Sequence, residues 1–302
     1  MTTQTILVIG ATGTQGGSVI KALLANPALP PTTQIVALSR NPSSTKSKSL
    51  LTLDSRISLL QGDASSPEQI FSSANTHITS VFLVTVHGAP GVEESQANAL
   101  IDAALKHGVQ HFVFTSADRG GEVASDRNPT PVPHIATKFH IEQHLKTVTA
   151  GSDMKWTILR PVTFMDNLTP DFAGKGFAAM WRQVGARKIQ LVAASDIGLF
   201  AAKALLHPGE YEGRSIGIAG DELSYEDAER VFEDVLGVKM PTTFCAVGSV
   251  LKVAMGDIGA MFKWFETAGF AVDMQAARRE VPEMMDFGTW LKRSSGFRDL
   301  KK

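Results

Sequence analysis

Three glycines at a fixed spacing, Gly10, Gly13 and Gly16, lie between an apolar run and a helical segment: ILVI, then GATGTQGG, then SVIKALLA. Without a Cβ, Gly10 can turn sharply out of a strand and Gly13 can admit a ligand to bare main chain. Gly16 can let a helix lie close on a sheet. The first N–H groups of that helix lack intrahelical partners and sit at its positive end, which suits a diphosphate. The chemistry on offer is dinucleotide binding; a turn serving structure alone is the alternative.

The end of the second apolar run, Gln34–Leu38, selects between the two nicotinamide dinucleotides. An Asp or Glu there would accept from a ribose 2′-hydroxyl. This chain has Ser39, Arg40 and Asn41, with Lys46 and Lys48 beyond. A guanidinium at that place pairs with a 2′-phosphate, which favours NADP(H) over NAD(H). The alternative is a solvated basic loop. His140 and His144 are one helical turn apart, like a zinc pair. The sequence between them is HIEQH, without the Glu directly after the first His and without a third ligand, so no metal is expected.

The elements that position these residues alternate along the first half. Ile6–Ile9, Gln34–Leu38, Ile57–Gln61, Val81–Val84, Phe112–Phe114 and Trp156–Leu159 read as short buried strands. Helices are expected from about Gln15 to Ala25, in the Ser/Lys-rich stretch after the second strand, and across Gly91–His107. This alternation predicts parallel βαβ units in a doubly wound α/β Rossmann sheet. After the sixth strand the pattern changes. Residues 160–185 show no clean period, 196–206 read as helix and 215–218 as a strand. Ser224–Leu236 reads as a helix with Ser224 and Asp227 as a cap, and residues 240–302 as helices with loops. The division expected is a Rossmann domain over 1–160 with segments returning near 188–218. A smaller, mainly helical substrate or lid subdomain would take 161–187 and 219–302.

The bulk composition agrees with a globular protein. Hydrophobic residues make up 43% and charged residues 20%, and the formal net charge is −1. Lys and Arg match Asp and Glu within residues 1–150, so no concentrated basic face points to nucleic acid. The lone cysteine, Cys245, allows no intrachain disulfide and reads as a small core residue. The start MTTQTILVIGATG has no basic leader, and no run is long enough for a membrane span, so a cytoplasmic protein is expected, with nuclear entry open.

The GxxGxxG spacing, rather than GxGxxG, is of the extended short-chain dehydrogenase type. The ordered set ILVIGATGTQGGSVIKALL, ALSRNPS, QGDASSPEQI, VFLVTV, HFVFTSA, KFHIEQHL and ILRPVTFMDNL resembles the NmrA-like proteins. These are atypical short-chain dehydrogenases that include reductases and NADP(H)-sensing regulators. The resemblance covers residues 4–170 and continues more weakly through SDIGLFAAKALL and GRSIGIAG. It implies that Gly10, Ala11, Thr12, Gly13, Thr14 and Gln15 line the dinucleotide and that Arg40 holds the 2′-phosphate. It also implies Asp63 and Ala64 beside the adenine and Thr85 near the nicotinamide ribose. Lys138 would bind ribose hydroxyls, and Thr163, Phe164 and Met165 would lie by the nicotinamide.

Typical short-chain dehydrogenases place a Tyr four residues before a Lys, so that the phenol exchanges a proton with substrate. The only tyrosines here, Tyr211 and Tyr225, have no such Lys, and the position before Lys138 is His134. Two readings follow. Either His134 or Lys138 donates the proton, imidazole being suited by an ordinary pKa near 6.5, or Lys138 only orders the cofactor and His134 only begins a helix. His87 can also face the nicotinamide from its loop. Ser116 either binds a substrate carbonyl or caps a turn. Phe164, Met165 and Leu168 would wall an apolar pocket, closed by Met180 and Trp181 or by Phe262, Trp264 and Phe265; the same residues also fit a core. The function expected is reduction of a small, mostly apolar carbonyl or enone-like compound by NADPH. The alternative is a non-catalytic NADP(H) redox sensor acting on a partner protein.

Overall fold

The computed structural model describes residues 4–86, 88–244, 248–250, 252 and 256–298; His87 and Cys245 lie outside the described residues. The first half runs β1 (Thr5–Ile9), α1 (Thr14–Ala25), β2 (Gln34–Ser39), α2 (Thr45–Leu51), β3 (Ile57–Gln61) and α3 (Pro67–Ser73). It continues through β4 (Ser80–Val84), α4 (Val92–Lys106), β5 (His111–Thr115), α5 (Glu122–Arg127), α6 (Pro133–Val148) and β6 (Lys155–Pro161). Then come β7 (Thr163–Phe164), α7 (Phe172–Arg182), β8 (Ile189–Val192), α8 (Ala194–Leu206) and α9 (Pro208–Tyr211). After these follow β9 (Arg214–Ile218), β10 (Asp221–Leu223) and α10 (Tyr225–Leu236). Helices Gly256–Thr267, Met274–Glu280 and Phe287–Arg293 complete the described chain.

The chain divides into two compact units. One contains Met1–Ser116, Thr137–Arg160 and Ile197–Ile216; the other contains Ala117–Ala136, Pro161–Asp196 and Gly217–Lys302.

The sheet built on the first unit has the order β3-β2-β1-β4-β5-β6-β9. The pairs from β3 to β6 are parallel, in registers such as Ile6↔Ile35 and Ile6↔Ser80. Its central strands carry apolar side chains on both faces because helices cover both sides. The runs TILVI and HFVFT are buried at every position. Phe112, Phe114, Ile101, Ile141 and Leu145 pack one core with Leu7, Val36 and Val81. Burial of each such side chain contributes on the order of 1.5–3 kcal/mol. The strand order reverses between β1 and β4, and the crevice beyond their carboxyl ends is where doubly wound sheets bind ligands.

The second unit packs around Trp181, Phe177, Phe232, Phe262, Phe287 and Trp290, beside a small sheet of order β10-β8-β7. The Ser224 cap expected from the sequence forms a full capping box: Asp227 donates its N–H to Ser224 Oγ at 3.1 Å, and Ser224 donates its own to Asp227 Oδ2 at 3.3 Å. Segment 117–136 is tied into this unit by the Asp118 carboxylate. That group accepts from the N–H groups of Gly120, Gly121 and Ala271 and from the Ser125 hydroxyl, at 3.0–3.1 Å. Among the described residues no helix is long and apolar enough to cross a membrane.

Candidate functional site

Gly10 leaves β1 with φ +81°, and a Cβ on it would stand 2.3 Å from Val84 Cγ1 at the end of β4. Only glycine fits that turn. A Cβ on Gly16 would stand 2.3 Å from Gly10 O, so Gly16 is what lets α1 start against the strand it follows. Gly13 differs. It donates its N–H to Gly10 O at 2.9 Å, and a Cβ on it would meet only Gly10 O, at 3.3 Å. Its open side faces away from the protein. Gly13 is also the N-cap of α1 and contributes no side-chain cap, and the first turn carries no acidic residue. A diphosphate fits this cradle: unpaired amides, the positive helix end, and no Cβ in front. Thr12, Gly13 and Thr14 are exposed, while Ala11 is buried in the turn. Gln15 is half-buried, and its Oε1 accepts from Thr115 Oγ1 at the end of β5, at 2.8 Å.

Arg40 is exposed just past β2. The loop carrying it is knit by hydroxyls: Ser39 Oγ and Ser47 Oγ lie 2.8 Å apart, Ser47 Oγ donates to Asn41 O at 3.0 Å, and Asn41 N–H donates to Ser39 Oγ at 3.2 Å. Asp63, past β3, accepts from Ser65 N–H at 2.8 Å and Ser65 Oγ at 2.7 Å. Those bonds, with the Arg40 charge adding to them, hold its carboxyl below the ordinary carboxylate range. Ala64 beside it packs at the margin of the first core.

Past β4, Thr85 meets Lys138 from α6. Lys138 Nζ donates to Thr85 Oγ1 at 2.7 Å and to Glu93 Oε1 at 3.0 Å, and Thr85 Oγ1 donates to the same Glu93 oxygen at 2.6 Å. Glu93 was not among the residues expected from the sequence. It stands in the first turn of α4 with its side chain 6% exposed, where the helix N-terminus favours a negative charge. Lys138 keeps 18% exposure, and its ammonium lies 5.9 Å from the Phe114 ring centroid.

Ser116, expected either to bind a substrate carbonyl or to cap a turn, stands just past β5. It is buried, and its hydroxyl donates to the Glu142 carboxylate on α6, which in turn pairs with Arg160 on β6. His134 is half-buried in the first turn of α6, one turn before Lys138. The tyrosines are buried, Tyr211 at the end of α9 and Tyr225 in the second core. His144 Nε2 lies 2.7 Å from Asp102 Oδ1, and the His140 ring sits edge-on to Phe139.

Gly10 to Gly16, Arg40, Asp63, Ala64, Thr85 and Lys138 thus belong to one unit, and the residues before Lys138 all follow carboxyl ends of neighbouring strands. Thr163, Phe164 and Met165 belong to the other unit: Thr163 and Phe164 form β7, paired with β8, and the Met165 side chain is fully buried in the second core. Of the two readings open for Met165, Leu168, Met180, Trp181, Phe262, Trp264 and Phe265, pocket wall or core, the structure bears out the core. Their side chains pack together as that core, and only Phe164 is partly open.

An NmrA-like oxidoreductase of Cladobotryum, FrzB, is 26% identical over 78% of this chain and 74% of its own. The Citrobacter triphenylmethane reductase, solved with NADP(H), superposes with a TM-score of 0.73 at 19% identity, over 96% of this chain and 99% of that one. The negative transcriptional regulator NmrA, solved with NADP, gives 0.69 at 16% identity, over 99% and 98%. The NmrA-like family model matches residues 2–291. The chain belongs to the NmrA-like family.

Proposed function

We propose that this chain is an NADP(H)-dependent oxidoreductase that reduces a small, mostly apolar carbonyl or enone-like compound. The observation carrying this reading is the uncapped α1 terminus at Gly13, open to solvent beside an arginine at the end of the next strand. The glycine turn would hold the diphosphate, Arg40 the 2′-phosphate, and Lys138 the ribose hydroxyls. The chemistry such a cofactor supplies when bound is hydride donation to an acceptor. Proton supply falls to His134 or a water, since Lys138 is engaged by Glu93 and both tyrosines are buried. Val86, 78% exposed directly after Thr85, supports an apolar acceptor. FrzB and the triphenylmethane reductase, both named for reduction or oxidation, support the enzyme class.

The test is NADPH consumption against a panel of quinones, enones and aldehydes, with His134→Ala and Lys138→Ala as controls. Turnover lost in Lys138→Ala is expected. Tight NADPH binding with no turnover of any compound would instead select the second reading, a redox sensor regulating a partner protein. The missing Tyr–Lys pair and the regulator NmrA among the structural relatives favour that alternative.

A further inference from the structure

We propose that Glu93 is a positioning residue for nucleotide binding: it fixes the Lys138 ammonium, directly and through Thr85, so that one N–H is held ready for the ribose next to the nicotinamide. This rests on the NADP(H) reading above.

An ammonium on a four-carbon stem has three donors and many rotamers, and fixing it costs side-chain entropy. Here that cost is met within the folded protein. Lys138 Nζ, Thr85 Oγ1 and Glu93 Oε1 close a triangle with sides of 2.6–3.0 Å. Glu93 Oε1 accepts from both other members. By drawing the Thr85 proton to itself, it turns a lone pair of the Thr85 oxygen toward Nζ. Two of the three ammonium donors are thereby used within the described residues, and one direction is left. Thr85 follows β4 at the strand-order reversal, so the triangle stands at the crevice where a dinucleotide is expected. A neutral side chain at 93 would keep the shape but lose the charge-assisted bonds, which are roughly twice as strong as neutral ones.

The experiment is calorimetric titration of the full chain with two probes. NADPH reaches the second ribose; adenosine 2′,5′-bisphosphate carries the 2′-phosphate end and stops short of it. For Glu93→Gln the expected result is about a tenfold weaker Kd for NADPH with the fragment's Kd unchanged. Thr85→Val, a near-isosteric loss of the hydroxyl, should show the same split and serves if the Gln variant does not fold. In a Lys138→Ala background Glu93→Gln should add nothing further, because its effect passes through the lysine. Wild-type NADPH affinity in Glu93→Gln, equal loss for both probes, or additive losses in the double variant would each overturn the proposal. A wild-type chain that binds neither probe would overturn the underlying cofactor reading instead.

Discussion

Glu142 and Arg160 form an ion pair at 2.6 Å with 0% and 1% of their side chains exposed. Glu142 lies one helical turn after Lys138 on α6, and Ser116 donates to the same carboxylate. The pair therefore pins α6 to the ends of β5 and β6 and sets the position from which Lys138 reaches Thr85. Removing one partner strands a charge away from water, so Arg160→Met should lose about 3–5 kcal/mol in urea unfolding. The double change Glu142→Leu with Arg160→Met should recover most of that loss. A single variant as stable as wild type would contradict this account.

Gly13 and Gly16 should respond differently to substitution. Gly13→Val adds atoms on the open side of the turn, so the protein should melt near wild type while its affinity for NADPH falls at least about tenfold. Gly16→Ala drives a methyl to within 2.3 Å of Gly10 O and should destabilise the fold by about 1–3 kcal/mol. Melting curves beside nucleotide titrations separate the two effects.

If Arg40 holds the 2′-phosphate as proposed, Arg40→Ala should raise the KM for NADPH by about ten- to a hundredfold and leave that for NADH nearly unchanged. Equal losses for both cofactors would place Arg40 elsewhere.

Burial raises the Asp196 carboxyl to about 6 from an ordinary 3.8, against the Met285 N–H that donates to it at 2.9 Å. A carboxyl with a raised pKa binds its proton more tightly in the fold than in the unfolded chain, so protonation favours the folded state and ionisation works against it. Its contribution is whole below about pH 4 and is lost as pH rises through 6. Asp196→Asn keeps an acceptor for Met285 without the charge. Relative to wild type, the variant should gain stability steadily from pH 4 to 6 and lead by roughly 2–3 kcal/mol at pH 7. His111 works with the opposite sign: burial pushes its imidazole down to about 4, so its contribution is present above pH 6.5 and lost as pH falls through 4. Denaturant midpoints across this range read the difference directly.

The sheet was legible because parallel central strands are apolar on both faces and appear as unbroken runs such as ILVI and HFVF. The glycine turn and the Ser224 cap were legible because both are local. Glu93 was not, since its contact with Lys138 joins residues 45 positions apart and no spacing rule announces it. The Ser116, Glu142 and Arg160 cluster was hidden for the same reason. Strands β7, β8 and β10 have two to four residues, too few to show alternation. The aromatics from 262 to 265 showed a limit of another kind, because apolar character alone does not separate a pocket wall from a core.

The division of the chain also governs how it can be made or cut. The polypeptide passes from one unit to the other after Ser116, Ala136, Arg160, Asp196 and Ile216, so each unit is assembled from interrupted pieces. A single proteolytic nick or truncation point therefore isolates neither of them intact. During synthesis, everything assigned to the unit that carries the glycine turn has emerged by Ile216, whereas the aromatic core of the other waits for Phe287, Trp290 and Phe297 near the carboxyl end.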